Sequence, residues 1–310
     1  MTGYLICHDG RQIGLPPFTA WKFRYTGGVP CDSFEAVCLW DGGLESALAG
    51  ADRFVAQEED GTRRFTGVLD EYELDWGAGG ASLSLSGRGL AALLLDNEAA
   101  GADYQVATPE DILRDHVLPY GVPVGEPGNL FAVPNFSVET GSSEWSVLYN
   151  FARYHGGVQP RFDVYGSLSL GPSRGRELAV DDRSGVLKLA YRDRRYGVIS
   201  EIVLRDRGEL ADQRVVNERF AAQGGLCRRV VTMPGRSSYQ AMRYSGQFQL
   251  DRSAEERVRV ELTLPSVFFA EPGDRVSVKL TRPGVSGIWR VLESESGMDE
   301  NGAATRLTLG

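Results

Sequence analysis

Residues 82–92 read SLSLSGRGLAA, an alternating strand that runs into Gly87-Arg88-Gly89-Leu90-Ala91-Ala92. Written as G-x-G-x-x-A after a strand and before a helix, it has the form of a dinucleotide-binding turn. The strand argues against that reading. A dinucleotide fold is built on a buried parallel strand that is apolar nearly throughout. Here Ser82, Ser84 and Ser86 put a hydroxyl on one face at every second residue, as a half-solvated antiparallel strand does. The acid that such a fold needs about twenty residues further on would be Asp111, in the first turn of a predicted helix rather than at a strand end. The stretch is therefore read as the end of an antiparallel strand. Gly87 and Gly89 are expected to let the chain turn sharply into a helix whose leucines pack on a β-barrel.

The flanking pattern agrees. Upstream, Trp21, Phe23 and Tyr25 alternate with Lys22 and Arg24, FEAVCLW (34–40) is a further strand, and RFTGVLDEYELDW (64–76) precedes the GAGG loop (77–80). Short strands parted by glycine turns indicate a barrel or sandwich. The middle of the chain is different. GLAALLLDN (89–97) is apolar and helical, and TPEDILRDHVL (108–118) offers Thr108 as N-cap with Pro109 behind it. SSEWSVLYNFARYHGG (142–157) puts Trp145, Leu148, Tyr149 and Ala152 on one helix face. RFDVYGSLSLG (161–171) reads as a hairpin turning at Tyr165-Gly166. Strands then return: GVISEIVLRD (197–206), RVRVELTLP (257–265), DRVSVKL (274–280), IWRVLESES (288–296) and TRLTL (305–309), with a Glu-Pro-Gly-Asp turn at 271–274 centred on Gly273. The expected fold is mainly β with an α/β insert: a first β-barrel domain over 1–95, a mixed α/β domain over 96–187 and a second β-barrel domain over 188–310.

Composition narrows the function. No apolar run approaches the ~18 residues that span a bilayer, and the N-terminus lacks the long apolar region of a secretory signal, so no membrane partner and a cytoplasmic origin are expected. Cys7, Cys31, Cys38 and Cys227 lack a CxxC pair and are read as small thiols in a reduced compartment, not as a zinc site. The net charge of −9 argues against a nucleic-acid partner, which would need a basic surface. That charge is uneven. Asp32–Asp75 holds twelve acids against three bases, a net of −9, whereas Asp181–Arg236 holds twelve bases against eight acids, a net of +4.

Catalytic patterns are missing. His8, His116 and His155 are scattered, and neither a G-x-S-x-G elbow, a P-loop nor HExxH occurs. Acid pairs such as Asp70-Glu71 and Glu58-Glu59 read as solvated faces in a chain with 42 acids. No enzyme activity, cofactor or metal is expected.

Three stretches, taken in order, resemble one family. FTGVLDEYEL…SLSLSGRGLAALLLDN is similar to the end of the first barrel in the baseplate hub proteins of contractile phage tails and related injection systems. The helix begun by Thr108-Pro109 and the stretch WSVLYNFARYHGGVQPRFDVYGSLSLG resemble that family's helix, glycine and D-x-x-G-x-L hairpin. EPGDRVSV…GVSGIWRVLESESGMDENGAATRLTLG is similar to its last barrel. The likeness runs over residues 60–310; the first sixty residues match only as generic strands, and 208–250 match no part of the family.

The resemblance implies a structural protein. Three copies would form a homotrimeric ring in which two similar barrels per chain imitate a sixfold tube, joining the tail tube protein to the trimeric spike protein. Such a protein is assembled in the bacterial cytoplasm and then resides in a virion or tail-like particle. A chain that stops at the last barrel strand is expected to carry no fused spike or lysozyme module. Within such a ring, Arg192, Arg194, Arg195, Arg228 and Arg229 are the expected intersubunit contacts, facing the acidic stretch of a neighbour. The competing readings are a tail-associated carbohydrate-binding or peptidoglycan-cleaving β-protein and a distal tail protein.

Overall fold

The computed structural model describes residues 1–27, 32–78, 80–171, 175–205, 213–233, 239–255, 257–281 and 283–310. Cys31, Gly79 of the GAGG loop, Asp206 and parts of 208–250 lie outside the described residues.

The first half holds β1 (Thr2–Cys7), β2 (Gln12–Leu15), β3 (Phe18–Thr26), β4 (Ser33–Leu39), a helical turn α1 (Glu45–Leu48), β5 (Ala51–Gln57), β6 (Arg63–Gly77) and β7 (Gly80–Gly89). Alternation sets its core: Trp21, Phe23 and Tyr25 point inward from β3, Phe34, Ala36 and Cys38 from β4, and Leu83 and Leu85 from β7. The sheet rolls over this core. Phe34 on β4 stacks on Phe54 of β5 with centroids 3.9 Å apart, although β7 and β6 lie between those two strands in the sheet. Phe23 on β3 likewise reaches Phe65 on β6 at 5.5 Å.

The insert carries α2 (Ala92–Leu95), β8 (Ala102–Ala107), α3 (Pro109–His116), β9 (Val133–Val138), α4 (Glu144–Asn150) and the two-residue strands β10 (Arg161–Phe162) and β11 (Leu168–Ser169). The Thr108 hydroxyl accepts from the Asp111 amide while the Asp111 carboxylate accepts from the Thr108 amide, so the predicted cap is a full capping box. Trp145, Leu148 and Ala152 are buried with Ile112, Phe136 and Phe151. The Tyr165-Gly166 turn is present, with Gly166 at φ 73°. The helix predicted over 89–97 shrinks to the single turn of α2, because Gly89 is still paired in β7.

The second half contributes β12 (Glu177–Asp181), β13 (Lys188–Asp193), β14 (Glu201–Arg205), β15 (Gln213–Val216), α5 (Glu218–Ala222), β16 (Arg228–Thr232), α6 (Tyr239–Glu255), β17 (Val258–Leu264), β18 (Arg275–Lys279), β19 (Ser286–Asp299) and β20 (Gly302–Leu309). GVISEIVLRD forms β14, but in a separate three-stranded sheet, β15-β14-β16, covered by α6 through Ile202, Leu204, Met242 and Leu250. That unit leans on the insert: Arg252 donates to the Gln159 side chain at 2.7 Å, and Tyr244 stacks on Phe131.

Of the expected fold, the mainly β character is present; no closed barrel occurs among the described strands. One thirteen-stranded sheet runs through both halves in the order β13-β17-β20-β19-β3-β4-β7-β6-β5-β1-β2, with β12 and β18 attached beside β19. The reason is the length of β19. Its start pairs with β18, and its remainder pairs with β20 on one side and β3 on the other, setting Glu293 opposite Thr26 and Met298 opposite Trp21. Fourteen residues at roughly 3.3 Å each reach from the second half into the first.

Candidate assembly interface

Exposed apolar and charged side chains gather on two strand edges of that large sheet. β5 pairs with β6 only as far as Val68. Beyond it, after a bulge between Leu69 and Glu71, β6 pairs with β7 alone up to Gly77. Its other edge is free among the described residues. The alternation of this segment sorts its side chains cleanly: Tyr72, Leu74 and Trp76 form one face, and Glu71, Glu73 and Asp75 the other. Trp76 is 86% exposed and Leu74 48%. Asp70 is committed to Arg88, whose guanidinium forks to Asp70 at 2.8 and 2.9 Å and to Asp96 at 2.8 and 2.9 Å. Among the described residues Glu71, Glu73 and Asp75 make no ion pair.

The sheet's terminal strand β13 is basic. β13 pairs with β17 on one side, from Lys188 opposite Thr263 to Asp193 opposite Val258, and its other edge is likewise free among the described residues. Tyr191 is exposed on it, and Leu187 and Tyr196 are exposed in the chain just before and after it. Asp193 is neutralised by Arg257 at 2.9 Å and approached by Arg195 at 3.7 Å, and the Arg257 guanidinium holds the Asp193 carboxyl below its usual range. Arg192 and Arg194 make no ion pair among the described residues. β13 thus offers net positive charge and exposed apolar side chains, the counterpart of β6.

The five arginines named from sequence therefore fall into two groups. Arg192, Arg194 and Arg195 sit together at the end of β13. Arg228 and Arg229 lie on β16 of the small sheet, where Glu201 holds Arg228 at 2.5 Å and Arg214 at 3.4 Å.

The glycines divide as well. Gly166 and Gly273 have φ of 73° and 100° and do make turns. Gly87 and Gly89 do not: both lie inside β7 with no positive φ. A Cβ on Gly87 would meet the Val68 carbonyl oxygen at 2.0 Å and the Phe34 ring at 2.7 Å, and one on Gly89 would touch Asp32 at 3.0 Å. Close approach, not turning, excludes a side chain here. The Gly273 turn is held by Asp274, buried, which accepts from the Arg176 amide at 2.7 Å and the Arg176 guanidinium at 2.6 Å.

Where the halves meet, the carboxyl of Asp32 accepts from the Thr26 amide at 2.7 Å. The residue keeps some surface, but the carboxyl itself is turned inward; burial, with Glu271 nearby, pushes it up to about 7. Among the described residues no group of three or more His, Cys, Asp or Glu is arranged to hold a metal, and no helix is long and apolar enough to cross a membrane.

The free β6 edge escaped sequence reading. Its alternation, Tyr72-Glu73-Leu74-Asp75-Trp76, is visible, but the point at which β5 stops covering it is set by tertiary pairing. The buried contact between His116 and Glu144, 28 positions apart in the chain, leaves no local signal.

Solved structures of similar fold include phage and prophage tail proteins. The chain is similar to the tail protein from Neisseria meningitidis MC58, with 18% identity, 99% of this chain and 95% of that one covered, and a TM-score of 0.77. It is similar to the prophage MuSo2 43 kDa tail protein from Shewanella oneidensis, at 15% identity, 100% and 98% coverage and a TM-score of 0.73. The E. coli c3393 protein, a type VI secretion component structurally similar to the T4 bacteriophage tail proteins gp27 and gp5, matches at 12% identity over 94% of this chain and 73% of that one, with a TM-score of 0.55. No protein-family model matches the sequence, and no curated protein matches it either. The likeness lies in the fold, which is the one that the ordered motifs had pointed to.

Proposed function

We propose that this chain is a baseplate hub protein of a contractile tail or related injection system. Three copies form a ring that adapts a hexameric tail tube to a trimeric spike, and the role is structural rather than catalytic. One observation carries the reading: β6 leaves an acidic free edge where it runs past β5, and β13, the terminal strand of the large sheet, leaves a basic one. Unpaired strand edges with apolar side chains are templates for another strand. Joining β13 of one copy to β6 of the next is a heterologous contact, and such contacts close into rings when the rotation allows. The run β13-β17-β20-β19-β3-β4-β7-β6 then continues from copy to copy as one wall.

Apolar contacts supply most of the affinity, since exposed ion pairs are worth only ~0–1 kcal/mol each. Charge selects the partner edge and discourages β6–β6 and β13–β13 contacts. Tail tube and spike are the partners of such a ring, and the tail-like particle is its destination. Sedimentation equilibrium tests the reading. A species of three times the 33.9 kDa chain mass is expected, alone or on adding spike, and a closed dimer or hexamer under both conditions contradicts it.

A further inference from the structure

The small sheet has an edge of its own. β15 (Gln213–Val216) runs antiparallel to β14, and no described strand lies on its other side. Asn217 donates to the Ser200 carbonyl at 2.9 Å. In the register that sets Val216 opposite Glu201, this puts Gln213 and Val215 in the hydrogen-bonded pairs with β14. Arg214 and Val216 alternate with them, so their N–H and C=O groups face outward, unpaired among the described residues.

The helix α6 lies beside that edge. It can come close because Gly246 faces the sheet: a Cβ there would meet the Leu204 and Val215 side chains at 2.7 Å. Tyr239, Arg243 and Gln247, each four residues from the next, form one exposed stripe along the helix. A groove of about 360 Å³ runs between this stripe and β15. The space continues over the stripe to Tyr244, which stacks on Phe131 of the insert.

No acid lines this groove, among the described residues. Arg243 makes no ion pair among them. Arg214 reaches Glu201 at 3.4 Å, but Arg228 holds the same carboxylate at 2.5 Å, so one negative charge is shared by two guanidinium groups. The next residue along the stripe, Asp251, accepts from the Gln247 amide at 2.7 Å.

We propose that the groove takes an extended acidic segment of a partner protein, which adds to β15 as a further strand of the small sheet. Its main chain pairs with the outward groups of Arg214 and Val216, and its side chains fall alternately on two sides. Those over α6 meet Arg243 and the polar tips of Tyr239 and Gln247. Those on the other side meet Arg214, because Val215 is the residue of β15 that packs toward α6. A helical segment would leave the outward backbone groups unpaired, and a basic one would face two arginines. The site is separate from the β6 and β13 edges and does not depend on the ring.

Fluorescence anisotropy with the full chain tests it, using a labelled, end-capped peptide of alternating glutamate and valine and a lysine–valine counterpart. The glutamate peptide is expected to bind saturably and to weaken as salt rises; the lysine peptide is expected not to bind. Arg243→Glu, at an exposed helix position, should weaken binding about threefold or more. Val216→Pro removes an outward N–H but no ladder bond to β14, and should weaken it by about as much. Sedimentation of both variants should match that of the unmodified chain. Equal binding of the two peptides overturns the proposal, as does a loss in Arg243→Glu with none in Val216→Pro. A changed assembly state in either variant also overturns it, since the groove would then be a contact between copies. A glutamate peptide N-methylated at alternate residues cannot pair with an edge, and its binding at full strength overturns strand addition even if Val216→Pro does not fold.

Discussion

The Phe34 ring lies over Gly87, so close that a Cβ on the glycine would sit 2.7 Å from Phe34 Cε1 and 2.0 Å from the Val68 oxygen. A backbone carbonyl cannot rotate aside, so Gly87→Ala must displace β6 from β7. A loss of about 1–3 kcal/mol is expected, read as a lower urea midpoint at unchanged slope. Gly14→Ala on edge strand β2, where nothing lies within 4 Å, is the control and should stay within about 0.5 kcal/mol.

The rolled sheet depends on Phe34 and Phe54 meeting across the interior. Phe54→Ala empties space that the neighbouring rings cannot fill and should cost about 3–5 kcal/mol. The stacked geometry also predicts coupling. In a double-mutant cycle with Phe34→Leu and Phe54→Leu, the pair should show about 0.5–1.5 kcal/mol beyond additivity. Additive losses would mean that the two strands are held independently.

Asp274 secures the Pro-Gly-Asp turn to the chain returning from the insert. Replacing it with Ala leaves the Arg176 and Glu271 amides without their acceptor. A loss of about 1.5–3 kcal/mol is expected, and Asp274→Asn, which retains one acceptor oxygen, should lose less. Equal losses would assign the effect to charge alone.

Asp32 sets a pH dependence of definite sign. Its folded carboxyl is raised from 3.8 to about 7 by burial, so the folded state binds its proton more tightly than the unfolded chain does. The resulting stability is fully present below pH ~4 and is lost as pH rises to about 7. Asp32→Asn keeps an acceptor for the Thr26 amide and removes the buried charge. Its urea midpoint should therefore exceed that of the unmodified chain at pH 8, and the advantage should vanish near pH 4. A constant difference across this range would show that Asp32 is solvated when folded.

Much of the fold was legible because local pattern and tertiary environment agree. The capping box at Thr108, the Tyr165-Gly166 turn and the inward alternation of Trp21, Phe23 and Tyr25 all follow from adjacent residues. The rest depended on long-range pairing. Nothing near Ser286 announces that β19 will serve both halves, and that single strand is why one sheet runs through both. Gly87 misled for a related reason: a glycine needed for close approach looks the same in sequence as one needed for a turn. The arginine block was visible as charge, but its division between β13 and the small sheet was not, because α6 and the masking of β14 by β15 and β16 are set by contacts far apart in the chain.

The central claim is that copies join β13 to β6 through edges of opposite charge, and a charge swap measured by sedimentation tests it directly. Arg192→Glu with Arg194→Glu should shift the assembly toward monomer at fixed concentration, as should Glu71→Lys with Glu73→Lys. All four changes in one chain reverse both edges and should restore the three-copy species, with salt weakening it as in the unmodified protein because exposed pairs are screened over about 8 Å at physiological ionic strength. Assembly that ignores the paired reversals, or a fourfold variant no better than either pair, contradicts the account.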